Sequence, residues 1–178
     1  MSKYPTNVKI GDGVQTDEFL KICNYFCPNA EIILEIGAND SRDIIKYIEK
    51  FKNSKGYAFE IIKEWVEKSH VNIKNANLEG RIKLLRVAIS DKDNDEVEVI
   101  DYGGGLSSMR KRSSGLGQPN WNSSNTEKLL SRRIDTISNE LGIESIDIAK
   151  IDVEGCSYEA LEGFGDMLNK TKMIHVET

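Results

Sequence analysis

The chain has 178 residues and a formal net charge of −5, with 39% hydrophobic and 30% charged residues. This length and composition predict one globular domain, and the acidic balance argues against broad electrostatic binding to nucleic acid or to an anionic membrane. The first residues lack an apolar run, no stretch approaches the length of a membrane span, and the three cysteines lack metal-site spacing, so we predict a cytoplasmic protein with free thiols.

The first half of the chain alternates helices with short apolar strands. Residues 1–30 are predicted to form a helical lead-in, with a helix that starts at Thr16 and ends before Pro28. The predicted order is then strand 31–36, helix 41–52, strand 56–60, a helix with Ile62, Trp65, Val66 and Ser69 on one side, and strand 81–89. Near-continuous apolar strands in this order are typical of a parallel sheet with helices on both faces.

The pattern changes after Asp91, where a turn precedes a half-exposed strand over 96–100. Residues 103–126 are rich in glycine, serine, asparagine and basic side chains, which predicts a flexible loop that could fold over a substrate as a flap. The remaining predicted elements are a strand from Leu129 to Ile137, a short helix ended by Gly142, strand 146–153, helix 157–169 and strand 173–178.

The first candidate site follows the first strand, where residues 32–41 have the sequence IILEIGANDS. Ligands of parallel sheets bind at the carboxyl edge of the strands, and Gly37 at that edge lets the backbone come close to a ligand. Three residues that can cap the next helix follow: Asn39, Asp40 and Ser41. Glu60 ends the second strand, 23 positions after Gly37, where an acid can hold the hydroxyls of a ribose.

The acids beside this turn favour a cationic nucleoside over a dinucleotide. A pyrophosphate site needs several glycines and a helix N-terminus free of anions, whereas Glu35, Asp40 and Asp43 surround a single glycine here. Each acid would repel a phosphate by about 1 kcal/mol if partly exposed. S-adenosylmethionine carries an ammonium and a sulfonium but no phosphate, so it is the predicted ligand; a helix cap without a ligand is the alternative.

The second candidate site is the sequence KIDVEG at 150–155. Asp152 ends the predicted strand 146–153, at the same sheet edge as Gly37. A carboxylate there could orient an acceptor, hold a metal or take a proton from a hydroxyl. The alternative is that Asp152 or Glu154 caps the next helix and pairs with Lys150.

Four stretches together resemble the FkbM family of S-adenosylmethionine-dependent methyltransferases: LEIGAND at 34–40, VAISD at 87–91, RIDTI at 133–137 and KIDVEGCSYEALEG at 150–163. The resemblance runs from about residue 31 to residue 178. It implies a three-layer, Rossmann-like α/β fold of the class I methyltransferases with a mostly parallel sheet, and methyl transfer to a hydroxyl of a sugar, glycolipid or small metabolite. Family members continue beyond the fifth strand, so the usual C-terminal strands are expected to be missing. Two explanations stay open: the sequence is truncated there, or another chain, such as a second copy in a homo-oligomer, covers that edge.

The resemblance also implies roles for individual residues. Residues 35–40 would line the methionine and ribose portions, Glu60 would hold the ribose, and 88–91 would border the adenine. The cofactor-binding residues predicted in this way are Glu35, Gly37, Ala38, Asn39, Asp40, Glu60, Ile61, Ala88, Ile89 and Asp152. The candidate bases are Asp152 first, then His175 and Glu177. The last two are two positions apart in the last strand, so their side chains face the same side of it.

Three other hypotheses stay open at this point. A metal-assisted O-methyltransferase would use acidic ligands from Asp152, Glu154 and Glu177. A module that binds RNA without catalysis would use the basic segments 110–112 and 132–133 together with Tyr102 and Trp121. A shortened relative that binds the cofactor but has lost activity is the third.

Overall fold

A computed structural model describes residues 16–101, 107–108 and 125–177. The elements of its first half are α1 (Thr16–Phe26), β1 (Ile32–Ile36), α2 (Arg42–Lys50), β2 (Lys55–Glu60), α3 (Lys63–Asn75), β3 (Ile82–Arg86) and β4 (Ala88–Ile89). Those of its second half are β5 (Glu96–Asp101), β6 (Ser107–Ser108), β7 (Asn125–Arg132), α4 (Ile134–Leu141), β8 (Ile146–Ile151), α5 (Ser157–Glu162), a 3₁₀ helix (Gly165–Lys170) and β9 (Thr171–Val176).

The main sheet has five parallel strands in the order β3-β2-β1-β8-β9. The chain builds outward from β1 to β3 and then returns to place β8 on the other side of β1. The winding order therefore reverses between β1 and β8, which is where open α/β sheets bind their ligands. This confirms the predicted parallel sheet and brings the ends of the two candidate stretches side by side.

Helices cover both faces of this sheet. Ile33, Ala58 and Ile148 belong to one apolar cluster with side chains of α1, α2 and α3. Leu34 and Ala149, one position further along their strands, belong to a second cluster with side chains of α4, α5 and the 3₁₀ helix. Adjacent strand residues face opposite sides of the sheet, so the two clusters form the predicted three-layer arrangement. In the described ranges, no helix has both the length and the apolarity needed to cross a membrane.

A smaller sheet in the order β4-β7-β5-β6 carries the half-exposed strand predicted near residue 96. β5 and β7 are antiparallel, from Glu96 opposite Leu130 to Asp101 opposite Asn125. The predicted flexible loop 103–126 falls mostly outside the described residues. Within it, 107–108 form β6 and the last two positions belong to β7, so these parts of the loop prediction were wrong.

Two strand predictions were wrong in their bounds. The strand predicted over 81–89 is interrupted at Val87, whose N–H donates to the carbonyl of Glu60 at 3.2 Å, so that β4 leaves the main sheet and pairs with β7. The strand predicted to reach Ile137 stops at Arg132. There the carboxylate of Asp93 accepts the N–H of Arg133 at 2.9 Å and the hydroxyl of Thr136 at 2.6 Å, and the chain turns into α4.

The helix predicted over 157–169 is divided into α5 and the 3₁₀ helix. Gly165 has a φ of +48°, a left-handed conformation that an α-helix cannot continue through. Gly163 packs against the carbonyl of Ser90, where a Cβ would come within 2.2 Å of the oxygen. The division thus lets the end of α5 approach the backbone that follows β4.

Candidate active site

The turn after β1 packs directly against the end of β8. Gly37 has a φ of +83°, and a Cβ at this position would lie 1.8 Å from the carbonyl oxygen of Asp152. Glycine fits both this backbone conformation and this close approach. The N–H groups of Gly37 and Ala38 each donate to the carbonyl of Phe59 at 2.9 Å. Gly37 therefore joins the ends of β1, β2 and β8, whereas the sequence had suggested a close approach to a ligand.

Glu60 ties this turn to the start of α3. Its Oε2 accepts the N–H of Asn39 at 2.6 Å, and its Oε1 accepts the N–H groups of Ile61 and Ile62 at 2.7 and 2.8 Å. Burial raises the pKa of Glu60, and the three N–H groups oppose that shift. A carboxylate oxygen accepts two hydrogen bonds, so Oε2 retains capacity for one hydroxyl donor.

A chain of side-chain hydrogen bonds holds the same turn against α3. The hydroxyl of Ser41 donates to that of Ser69 at 2.9 Å, which donates to the carbonyl of Asn39 at 2.7 Å. The side-chain amide of Asn72 donates to the carbonyl of Asp40 at 2.8 Å. These bonds support a turn in which Asn39 and Ser41 have φ values of +48° and +62°. This brace of hydrogen bonds between the turn and α3 was not predicted from the sequence, although a serine among the apolar side chains on one side of α3 was a signal for it.

Glu35 caps α2 in place of the three polar residues predicted to do so. Ser41 occupies the N-cap position but makes no capping hydrogen bond with its side chain. Instead the buried carboxyl of Glu35 accepts the N–H of Ile44, the third residue of the helix, at 3.1 Å. Burial raises the pKa of Glu35 to about 8, with Lys150 opposing the shift, so Glu35 holds a proton at neutral pH.

The acidic turn is less anionic than its sequence suggests. The ammonium of Lys150 lies 2.8 Å from Asp43, and the guanidinium of Arg42 lies 2.9 Å from Asp40. With Glu35 neutral at pH 7, none of the three acids acts as an unpaired anion. The predicted repulsion of a phosphate by free negative charge is therefore wrong in its mechanism.

The three candidate bases differ in what surrounds them. The side chain of Asp152 is 29% exposed and lies 3.4 Å from Lys150. Glu177 hydrogen-bonds Asp152, whose charge, followed by burial, raises the pKa of Glu177. The ring of His175 packs on Phe19 at 4.7 Å between centroids, and its Nδ1 is buried without a hydrogen-bond partner among the described residues. Burial, then Lys150, lowers the pKa of His175, so its environment is that of a neutral core histidine.

The residues predicted beside the adenine adjoin this edge but are mostly enclosed. Ala88 and Ile89 are buried, and the carbonyl of Ile61 accepts the guanidinium of Arg86 at 3.0 Å. The backbone carbonyl of Asp91, two residues after Ile89, accepts a hydrogen bond from the guanidinium of Arg133 at 2.7 Å.

The basic and acidic groups of the alternative hypotheses are otherwise engaged. Arg132 pairs with Asp93 at 3.2 Å and with Glu140 at 2.5 Å, and Arg133 pairs with Asp135 at 2.6 Å, so neither arginine offers a free phosphate-binding surface. The other residues suggested for RNA lie outside the described ranges. In the part of the chain that the structure describes, no group of three or more His, Cys, Asp or Glu side chains is arranged to hold a metal ion.

The comparisons with known proteins agree with this architecture. A family model described as "Methyltransferase FkbM domain" matches residues 35–178. The chain belongs to the FkbM methyltransferase family. The family resemblance in the sequence is thereby confirmed, and its match begins at Glu35, in the first strand.

One curated relative and one solved structure show which known proteins this FkbM domain is similar to. The chain is 26% identical over 157 residues to 2-O-methyltransferase NoeI of Sinorhizobium fredii, a match that covers 82% of this chain and 62% of the relative. It therefore spans less than two thirds of that protein. A structure described as a "putative caffeoyl-CoA O-methyltransferase" from Staphylococcus aureus is similar with a TM-score of 0.53 and 10% identity, covering 90% of this chain and 55% of the other. That similarity confirms the predicted class I methyltransferase fold.

Proposed function

We propose that this chain transfers the methyl group of S-adenosylmethionine to a hydroxyl of a sugar, a glycolipid or another small metabolite. The family supports methyl transfer, and the relative named as a 2-O-methyltransferase supports oxygen as the acceptor. The observation that carries the proposal is the convergence of the turn after β1, Glu60 and Asp152 at the switch point of the sheet.

The backbone of the turn favours a nucleoside without a phosphate. The N–H groups of Gly37, Ala38, Asn39 and Ser41 all donate within the protein. A pyrophosphate site depends on such N–H groups pointing at the ligand. The preference for S-adenosylmethionine over a dinucleotide thus rests on satisfied donors rather than on free negative charge.

The side chains fit a division of tasks between cofactor and acceptor. Glu60 keeps acceptor capacity on Oε2 for a ribose hydroxyl, next to the residues 35–40 that would hold the rest of the cofactor. When bound, S-adenosylmethionine supplies an electrophilic methyl group. Asp152, partly exposed and 3.4 Å from Lys150, would orient the acceptor hydroxyl and accept its proton, while the protein contributes mainly alignment of the two reactants.

The test combines calorimetry with a turnover assay on the wild type and on Asp152→Asn. We expect the wild type to bind S-adenosylmethionine and S-adenosylhomocysteine but not NAD. We expect Asp152→Asn to keep cofactor affinity while transfer of labelled methyl to a panel of hydroxyl-bearing sugars and metabolites falls about 10²- to 10⁴-fold. Binding of NAD without S-adenosylmethionine would overturn the proposal, and unchanged turnover in Asp152→Asn would remove that residue from the mechanism.

The remaining expectations stay predictions. A cytoplasmic location and a second copy of the chain against β9 are consistent with three buried free cysteines and with the position of β9 as the last strand of the main sheet in the described residues. The metal-assisted alternative has no support from the placement of Asp152, Glu154 and Glu177.

A further inference from the structure

A row of polar side chains crosses the sheet directly beneath the candidate site. Glu35, Lys150 and His175 are register partners on the adjacent strands β1, β8 and β9. Two residues further along the same strands, and therefore on the same face, lie Gly37, Asp152 and Glu177 at the carboxyl edge. The inner row is buried or half-buried, and the outer row is the edge at which the methyl group would be transferred.

Lys150 connects the two rows and the helix above them. Its side chain is only 9% exposed, and its ammonium lies 2.8 Å from Asp43 in the first turn of α2, 3.4 Å from Asp152 and 3.9 Å from Glu35. Among the described residues, Lys150 is the cation within 4.0 Å of Asp152 and of Glu35. A buried ammonium is stable only when it is paired in this way, so the side chain has little freedom to leave the cluster.

The surroundings of Asp152 are asymmetric as a result. The ammonium of Lys150 lies 3.4 Å from its carboxylate, and the carboxyl of Glu177 hydrogen-bonds it. When two carboxyl groups share a site, repulsion between like charges raises the pKa of one of them. Asp152 therefore raises the pKa of Glu177, and the ammonium of Lys150 opposes that shift.

We infer that Lys150 is a positioning residue for methyl transfer: its ammonium holds the carboxylate of Asp152 in place at the sheet edge and joins it, through Asp43, to the helix that follows the cofactor turn. The inference rests on the proposed function, because Asp152 matters for transfer only if a methyl acceptor binds beside it. It also explains why lysine and aspartate stand two positions apart in the sequence KIDVEG, with one residue between them, since that spacing puts both side chains on one face of the sheet.

The two histidines of the chain make the effect of this cation measurable. His175 faces Lys150 and Asp152 from β8, Asp43 from α2 and the ring of Phe19 from α1. His70 is exposed on α3 and serves as an internal reference in the same spectrum. Loss of the Lys150 charge removes a repulsion from His175 and an attraction from the carboxylate of Glu177, so both should take up protons at higher pH.

The experiment follows the histidine rings and the side-chain carboxyl of Glu177 by NMR through a pH titration. In Lys150→Met we expect the midpoints of His175 and of Glu177 to rise by about one pH unit, with the exposed ring of His70 as the spectral reference. Lys150→Arg keeps the charge and should titrate like the wild type. Lys172→Met is the matched control, because it breaks the 2.6 Å pair of Lys172 with the buried Asp147 at the other end of β8 and β9.

Two further measurements keep the outcome decisive. If Lys150→Met does not fold, Asp43→Asn combined with Lys150→Met, compared with Asp43→Asn alone, removes the carboxylate 2.8 Å from Lys150 together with the cation and allows the same titration. Midpoints of His175 and Glu177 that are equal with and without the Lys150 charge would overturn the inference. Calorimetry of the wild type with S-adenosylhomocysteine separates the two proposals, since absent binding would defeat the proposed function while the titrations would still report on Lys150.

Discussion

At the scale of single residues, two glycines that share a left-handed backbone conformation differ in what surrounds them. Gly37 and Gly142 have φ values of +83° and +66°, but a Cβ at Gly37 would meet the carbonyl of Asp152 at 1.8 Å, whereas a Cβ at Gly142 would meet no atom within 4 Å. We expect Gly142→Ala to cost about 1–2 kcal/mol of unfolding free energy, the penalty of the left-handed conformation alone. Gly37→Ala adds a backbone clash and should cost about 4 kcal/mol or more. Urea denaturation of both variants checks this, and equal losses would contradict the close approach of β1 and β8.

At the scale of elements, the brace between the turn after β1 and α3 predicts a loss of binding that is separate from a loss of stability. Ser69→Ala breaks the bonds to Ser41 and to the Asn39 carbonyl. Ser131→Ala is its control, because that serine is fully buried and donates to the carbonyl of Lys92 at 2.8 Å, away from the turn. Each change should cost about 1–3 kcal/mol in stability.

The difference between the two serine variants should appear in cofactor affinity. We expect calorimetry to show S-adenosylhomocysteine binding weakened roughly tenfold in Ser69→Ala, equivalent to about 1.4 kcal/mol, and unchanged in Ser131→Ala. The turn would lose its fixed conformation in the first variant only. Equal affinities in the two variants would mean that α3 does not set the shape of the cofactor turn.

The elements themselves were predictable because their signals are local. The apolar run of β1 and the amphipathic helix α2 follow from residue periodicity, and both are confirmed to within two residues. The breaks at Val87 and Gly165 were not predicted. The first depends on a hydrogen bond to the distant Glu60, and the second depends on a left-handed glycine in a segment whose apolar spacing continues as in a helix. Boundaries set by distant partners carry no periodic signal.

At the scale of the whole molecule, the position of the candidate site was predictable, but the hydrogen bonds and ion pairs within it were not. The placement of Gly37, Glu60 and Asp152 at one edge follows from the order of strands in a parallel sheet. The cap from Glu35 and the cluster around Lys150 join residues on different elements, 107 positions apart between Lys150 and Asp43. Such contacts depend on side-chain geometry after folding, so the sequence showed which charges were present but not which were already paired.

The buried carboxyl of Glu35 makes the stability of the whole molecule depend on pH. Its pKa is raised from 4.5 to about 8, mainly by burial. Between these values the folded state keeps a proton that the unfolded chain has lost, so the contribution of Glu35 to stability is complete below pH 4.5 and is lost as pH rises towards 8. Glu35→Gln preserves an oxygen for the N–H of Ile44 but cannot titrate.

Urea denaturation at about pH 5.0, 6.5 and 8.0 isolates this effect, because these values span the interval between the unfolded and folded pKa values of Glu35. The raised pKa values of Glu60 and Glu177 act in the same direction and the lowered pKa of His175 acts in the opposite one, so the comparison of slopes identifies the share due to Glu35. We expect the loss in Glu35→Gln to be smaller by at least about 1.4 kcal/mol, the equivalent of one pKa unit. Glu64→Gln, a change in an exposed carboxylate on α3, should follow the wild type. Parallel slopes for Glu35→Gln and the wild type would show that Glu35 is ionised in the folded protein, and that the cluster around Lys150 carries one more negative charge than its burial implies.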